Sequence, residues 1–77
     1  MHFITFERVS TTQLEKLTNY FEPLSSYCLL LSNTANGKCD VKIACVDTSQ
    51  YILNCFKEED LKILREILHV RKLHFES

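Results

Sequence analysis

Apolar and polar residues alternate along the chain in short segments, and the spacing within each segment predicts its secondary structure. Residues 2–9, HFITFERV, are rich in β-branched and aromatic side chains and predict a strand. Ser10 then begins a helix, because Gln13 follows it at the spacing of a capping box. Pro23 ends this helix, since the residue before a proline disfavours helical conformation. Its predicted apolar stripe consists of Leu14, Leu17, Phe21 and Leu24.

Two apolar runs separated by a polar segment predict a β-hairpin in the middle of the chain. Residues 26–32 are apolar on both faces, and residues 38–46 form the returning strand. Asn36 and Gly37 supply the turn between them, because both residues tolerate the positive φ that a type I′ turn requires. Residues 51–56, YILNCF, have high β-propensity and predict a fourth strand.

The last element predicted is a helix over residues 58–74. Glu58, Glu59 and Asp60 place negative charge at the positive end of its dipole. Its apolar stripe is formed by Leu61, Ile63, Leu64, Ile67, Leu68, Val70 and Phe75. The β-α-β-β-β-α order, in a single domain over residues 1–77, predicts an α+β two-layer sandwich with a mostly antiparallel four-stranded sheet. Both helices are expected on one face of that sheet.

Composition and charge narrow the classes of partner. The 77 residues are 45% hydrophobic and 25% charged, which is typical of a globular domain. With 9 basic and 10 acidic residues, the chain lacks the excess of Lys and Arg that binds phosphates. An aromatic RNA-binding strand is also missing, and the last helix begins with three acids. A nucleic-acid-associated regulator is therefore the second hypothesis for function, behind protein binding.

Targeting signals are not recognisable in the sequence. The segment MHFITFERVS has no basic region followed by a long apolar stretch, as a signal peptide would. No run approaches the roughly 18 apolar residues of a membrane span. We therefore expect a cytoplasmic location and no membrane partner.

The four cysteines raise the question of a metal or redox site. A structural zinc site usually contains a close pair such as C-x-x-C, which this chain lacks. His69 and His74 are five residues apart, so they do not share a helix face as paired ligands would. With a two-residue turn, Cys28 would face Cys45 at a separation that a disulfide can span. A cytoplasmic location nevertheless predicts reduced, metal-free thiols at all four positions: Cys28, Cys39, Cys45 and Cys55.

Motifs for catalysis are absent from the sequence. It contains no G-x-S-x-G elbow, no glycine-rich phosphate loop and no recognisable pair of catalytic carboxylates. We therefore expect no catalytic residue, no cofactor and no enzymatic activity.

The two predicted helices can cover only one side of a four-stranded sheet. Because residues 26–32 are apolar on both sides, an apolar surface should stay uncovered and mark an interface. We expect a non-enzymatic protein-binding module, such as a small inhibitor or adaptor of the kind that phages and other mobile elements encode. A structural homodimer is the third hypothesis. The candidate partner-binding residues are Phe3, Leu29, Leu31, Ile52, Phe56, Leu73 and Phe75.

Overall fold

The computed structural model describes residues 3–46 and 55–76 of the chain. Its elements are β1 (Phe3–Ser10), α1 (Thr11–Phe21), β2 (Tyr27–Ala35), β3 (Lys38–Cys45), α2 (Glu58–Leu68) and β4 (Phe75–Glu76). The strands form one sheet in the order β2-β3-β1-β4, and each neighbouring pair is antiparallel. The predicted α+β class and four-stranded antiparallel sheet are confirmed. Neither described helix is long and apolar enough to cross a membrane.

The capping box predicted at the start of α1 is present. The backbone N–H of Gln13 donates to Ser10 Oγ at 3.2 Å, and the backbone N–H of Ser10 donates to Gln13 Oε1 at 3.1 Å. The helix ends at Phe21, two residues before Pro23. Leu17 and Phe21 are fully buried, so the predicted apolar stripe anchors α1 to the sheet.

The β2–β3 hairpin closes at the predicted Asn-Gly turn. Asn36 has φ 54° and Gly37 has φ 72°, the positive values that a type I′ turn needs at both central residues. Ala35 and Lys38 face each other across the turn. Thr11 Oγ1 donates a 3.1 Å hydrogen bond to the Gly37 carbonyl, which ties the turn to the first residue of α1.

A β-bulge changes the strand register within this hairpin. Two residues of β2 between Ser32 and Ala35 oppose a single residue of β3, and the first of them, Asn33, has φ 52°. The pairing beyond the bulge is therefore displaced by one residue. Cys28 lies opposite Ala44, so the predicted strand register, in which Cys28 would face Cys45, is wrong.

A second bulge lies in β1, and one carboxylate contacts both. Arg8 has φ 56° in the segment of β1 where the register with β3 shifts. Asp40, in the central strand β3, accepts a 3.1 Å hydrogen bond from the Arg8 backbone N–H and a 2.8 Å hydrogen bond from Asn33 Nδ2. These two bonds hold the pKa of Asp40 below its usual value.

The last helix is shorter than predicted. It ends at Leu68 rather than at residue 74, because His69 adopts the left-handed conformation with φ 56° and ends the helix. Residues Phe75–Glu76 then pair with β1 as the short strand β4. Hydrogen bonds to the sheet edge thus replace the extra helical turn that the apolar spacing suggested.

Among the described residues, the fourth strand of the sheet is β4, which the sequence pattern did not predict. Of the predicted strand 51–56, residues 51–54 lie outside the described residues, and Cys55 and Phe56 belong to no strand. β4 occupies the position next to β1 instead. β3 lies between β1 and β2, which are both antiparallel to it and hence parallel to each other, with α1 as the crossover.

Both helices pack on one face of the sheet, as predicted. Alternate residues of β3 point toward them, and residues directly opposite on neighbouring strands share that face. Leu64 of α2 joins Leu17 and Phe21 of α1 in the same core. The strand residues buried in this core are Ile4, Val9, Tyr27, Cys39, Val41, Ile43 and Cys45. The opposite face carries Phe3, Cys28, Leu30, Lys42 and Ala44.

Candidate protein-interaction surface

The outer side of β2 is an exposed sheet edge. Among residues 3–46 and 55–76, β2 is hydrogen-bonded to β3 on one side and has no neighbouring strand on the other. Every residue from Leu30 to Ala35 is exposed. Leu30 is 50% exposed and Leu31 is 53% exposed, so both faces of the strand leave a large apolar side chain in solvent. We call residues 28–32 of this strand the β2 edge.

The ladder pattern identifies the backbone groups that point outward from the β2 edge. The Val46 N–H donates a 3.0 Å hydrogen bond to the Ser26 carbonyl, so Ser26 directs its backbone groups toward the returning strand. Every second residue after Ser26 does the same in an antiparallel ladder. Leu29 and Leu31 lie between those positions, so their N–H and C=O groups point away from β3. The backbone groups of Tyr27 also point away from β3, but its N–H donates a 3.2 Å hydrogen bond to the Leu24 carbonyl.

Helix α1 leaves part of the sheet beside this edge uncovered. Leu29 and Leu31 are on the helix side of β2, where they line a shallow cavity of about 290 Å³ together with Thr18, Glu22 and Tyr27. A second depression of about 170 Å³ continues along Leu31 toward the Asn-Gly turn. A groove therefore runs between α1 and the β2 edge, with Leu29 and Leu31 on its strand side and Thr18 and Glu22 on its helix side.

The sheet face opposite the helices is mixed in character. Leu30 lies opposite Lys42 on this face, and Phe3 lies beyond them on β1. Lys42 Nζ is 4.3 Å from the centroid of the Phe3 ring, a cation–π contact that covers part of the ring. Ala44 is only 2% exposed here, so the middle of this face is shielded by larger neighbours.

The candidate partner-binding residues do not form one surface. Leu29 and Leu31 meet at the β2 edge, whereas Phe3 is two strands away on the other face. Phe56 and Phe75 pack edge to face with their ring centroids 5.3 Å apart. The remaining two are Leu73, which is partly buried against the core, and Ile52, which lies outside the described residues.

Sequence reasoning missed Leu30 as a member of the exposed group. Its signal was present, because the alternation in residues 26–32 places it on the face opposite to Leu29 and Leu31. What the alternation does not reveal is that β2 is the outermost strand. The edge position exposes Leu30 and Leu31 together.

Asp60 is the buried acidic residue among those that the structure describes. It is 5% exposed and lies in the first turn of α2. Its carboxylate accepts hydrogen bonds from the hydroxyls of Tyr20 at 2.8 Å and Tyr27 at 2.6 Å. The Tyr27 oxygen in turn accepts a hydrogen bond from the Phe56 backbone N–H. This cluster connects α2 to both α1 and β2.

The electrostatics of this cluster favour a structural role. The hydrogen bond to Asp60 raises the pKa of Tyr20 to about 12. Burial, and then the hydrogen bond to Asp60, raise the pKa of Tyr27 further. Both hydroxyls therefore stay protonated near neutral pH and donate to the carboxylate, rather than acting as bases or nucleophiles. The adjacent cavity of about 380 Å³ is lined by all three residues.

The cysteines differ from the prediction of four reduced thiols. Cys45 and Cys55 form a disulfide, with an S–S distance of 2.11 Å and a Cα–Cα distance of 5.8 Å. The prediction is wrong for this pair, because Cys45 lies with Val41 and Ile43 on the helix side of β3, where the segment before α2 reaches it. Cys28 and Cys39 are free thiols, and Cys39 is buried. The described residues contain no group of three His, Cys, Asp or Glu side chains that could hold a metal ion.

The hydrogen bonding of buried polar side chains is complete within the described residues. Each buried side-chain nitrogen or oxygen there has a hydrogen-bond partner.

Comparison of the chain with protein-family models, with curated proteins and with solved structures finds no significant match.

Proposed function

We propose that this chain is a non-enzymatic protein-binding module whose partner adds an extended strand to the β2 edge. The observation that carries the proposal is the outward direction of the Leu29 and Leu31 backbone groups beside two half-exposed leucine side chains. An extended segment gains main-chain hydrogen bonds at such an edge, and its alternate side chains gain apolar contacts. The groove between α1 and β2 receives those side chains.

The two edges of the sheet differ in a way that supports this choice. The strand at one edge, β4, has only two residues, and beyond it β1 carries Glu7, Arg8 and a bulge. Short edge strands, charged residues and bulges all discourage pairing with other chains. The β2 edge has neither charge nor proline. Pairing is therefore opposed at one edge of the sheet and favoured at the other.

The alternative functions have less support at this surface. The β2 edge carries no lysine or arginine, so a nucleic-acid-associated regulator would have to bind elsewhere. In the Tyr20–Asp60–Tyr27 cluster both tyrosine hydroxyls donate to the carboxylate, an arrangement that connects elements of the fold and does not present a tyrosine as nucleophile. We retain the proposal of an inhibitor or adaptor. The cytoplasmic location stays a prediction, and the Cys45–Cys55 disulfide favours a more oxidising compartment.

The test removes one outward backbone donor without disturbing the β2–β3 ladder. In Leu31→Pro, the lost N–H points away from β3, and proline is tolerated at such edge positions. Leu31→Ala is the matched control, because it loses the side chain and keeps the N–H. Immobilised protein of each type is used for affinity capture from the native host, with mass spectrometry and circular dichroism in parallel.

We expect a captured protein to bind the unsubstituted chain, to bind Leu31→Ala more weakly, and to be lost with Leu31→Pro while the circular dichroism is unchanged. Binding to this edge should also depend little on salt concentration, because β2 itself carries no charged residue. Equal capture by all three proteins would contradict the proposal. Binding that falls steeply with salt would point to nucleic acid instead.

A further inference from the structure

Resting on the proposed role of the β2 edge, we infer that the strand added there is β2 of a second copy of this chain. The two copies pair antiparallel about a two-fold axis at Leu30. The result is a continuous eight-stranded sheet with the order β4-β1-β3-β2-β2-β3-β1-β4. Three features of the edge lead to this occupant and this register.

The first feature is the direction of the backbone groups. A hydrogen-bonded antiparallel pair requires two residues whose N–H and C=O groups both point toward the other strand. Leu29 and Leu31 are the outward-pointing residues of the β2 edge. Leu29 of each copy pairs with Leu31 of the other, which gives four hydrogen bonds across the axis. Leu30 then faces Leu30 of the second copy in the non-hydrogen-bonded pair between them.

The second feature is the pair of structural limits at the ends of the edge. Asn33, in the bulge, interrupts the regular ladder at one end. At the other end, the Tyr27 N–H is already bonded to the Leu24 carbonyl. A pairing centred on Leu29 would require hydrogen bonds from the Tyr27 backbone, and a pairing centred on Leu31 would require hydrogen bonds from the Asn33 backbone. Only the axis at Leu30 keeps the paired segment within residues 28–32.

The third feature is the absence of charged residues from the strand β2 itself. A two-fold axis places a residue near its own copy, so any charged residue in the edge would meet a like charge. β2 carries no charged residue over Tyr27–Ala35. The nearest basic residue on the sheet face opposite the helices, Lys42, lies on β3, so the two copies of Lys42 would be separated by three strand spacings, about 14 Å. That distance exceeds the screening length of about 8 Å at physiological salt.

The apolar side chains left exposed in one copy are those that the second copy would cover. Leu30 is half exposed on the face opposite the helices and would contact its own counterpart. Leu31 is half exposed on the helix side and would contact Leu29 of the second copy. Pairing therefore covers both faces of the edge at once. An unrelated partner would explain the exposed leucines but would not require a charge-free strand.

A charge-exchange experiment tests the axis directly. Leu30→Lys and Leu30→Asp each place like charges opposite each other if the axis passes through this residue. Leu30 is exposed, so both variants should fold, and circular dichroism checks this. Sedimentation velocity over a range of concentrations is measured for the unsubstituted chain, for each variant and for their equimolar mixture. Leu31→Pro provides an independent way to block pairing.

We expect the unsubstituted chain to dimerise and each single variant to dimerise at least about tenfold more weakly, through loss of an apolar pair and gain of repulsion. The mixture of Leu30→Lys and Leu30→Asp should recover the dimer, because opposite charges then face each other. Leu31→Pro should sediment as a monomer.

The inference is overturned if the unsubstituted chain sediments as a monomer at all concentrations. It is also overturned if Leu30→Lys dimerises as well as the unsubstituted chain, or if the mixture fails to recover the dimer. If the chain is a monomer but captures a different protein, and Leu31→Pro no longer binds that protein, the second copy is refuted and the proposed function stands. If the chain is a monomer and Leu31→Pro captures the same proteins as the unsubstituted chain, the second copy and the proposed function are both refuted.

Discussion

The hydroxyl of Tyr27 donates a 2.6 Å hydrogen bond to the carboxylate of Asp60, although the two residues are 33 positions apart in the chain. Tyr27 is the first residue of the exposed strand β2, and Asp60 lies in the first turn of α2. The contact therefore fixes the start of β2 to the helical layer. Because Tyr20 donates to the other oxygen of the same carboxylate, Asp60 joins three elements.

Removal of this carboxylate should strongly destabilise the fold. In Asp60→Ala, two tyrosine hydroxyls lose their acceptor, and the Tyr27 hydroxyl is left in a buried position. We expect the free energy of unfolding to fall by about 2–4 kcal/mol, as for loss of hydrogen bonds to a charged group. Denaturant melts measure this change. The control is Glu59→Ala, which removes an exposed carboxylate of the same helical turn and should cost less than about 0.5 kcal/mol. Equal effects would contradict the assigned role of Asp60.

The tyrosines of this cluster should resist ionisation at high pH. Tyr20 has a pKa of about 12 rather than 10.0, because the hydrogen bond to Asp60 favours its neutral form. A raised pKa in the folded state means that the stabilisation is complete below pH 10 and is lost as the pH rises toward 12. Ultraviolet absorbance of phenolate should therefore report tyrosines that titrate late. In Asp60→Asn the Tyr20 titration should move toward its ordinary value, and an unchanged curve would count against the hydrogen bond.

Asp40 should make the two bulges sensitive to acid. Its pKa is lowered first by the hydrogen bond from Asn33 and then by that from the Arg8 backbone. A lowered pKa means that the stabilisation is present above the ordinary value of 3.8 and disappears as the pH falls through the lowered value. The protection of the Arg8 amide against hydrogen exchange, relative to the intrinsic rate at each pH, should fall over that range. In Asp40→Asn the acid dependence should be lost, whereas Glu7→Gln, an exposed change nearby, should retain it.

Core and edge leucines should differ in their effect on stability. Leu64 of α2 is fully buried against the core, and Leu64→Ala should lower the free energy of unfolding by about 2–5 kcal/mol in denaturant melts. Leu30→Ala, at the half-exposed edge, should cost far less in the monomer. Arg65→Ala removes a 2.7 Å ion pair with Glu58 that is largely exposed, so a change below about 0.5 kcal/mol is expected. A larger loss from Leu30→Ala than from Leu64→Ala would contradict the burial described above.

The disulfide should be measurable by alkylation of the unfolded chain. Without a reductant, two thiols should react, those of Cys28 and Cys39, and after reduction all four cysteines should react. Four reactive thiols without a reductant would show that the bond is absent. The bond closes a short loop, with a sequence separation of 10, so Cys55→Ala should lower the free energy of unfolding by about 2–3 kcal/mol. The matched control is Cys28→Ala, at a partly buried free thiol.

The sequence by itself determined the features that depend on neighbouring residues. Ser10 and Gln13 are three positions apart, so their reciprocal capping bonds form within one helical turn and can be predicted from spacing. Asn36 and Gly37 specify the hairpin turn through their own backbone preferences. The alternation of apolar residues along β3 likewise places Val41, Ile43 and Cys45 on one face, and all three are buried.

Only the tertiary structure decided the features that depend on distant residues. Asp40 holds the bulge at Asn33 and also contacts the backbone of Arg8, 32 positions away, and that bulge moved Cys45 out of register with Cys28. The burial of Asp60 depends on tyrosines 33 and 40 positions away.

The exposed edge belongs to this second group. The apolar pattern of β2 can be read from the chain, but an apolar strand is equally suited to the centre of a sheet. Its place at the edge follows from the order β2-β3-β1-β4, in which β3 takes the position between β1 and β2. That order is set by pairing between strands that are remote in sequence. The exposure of Leu30 and Leu31 was therefore decided by the tertiary structure alone.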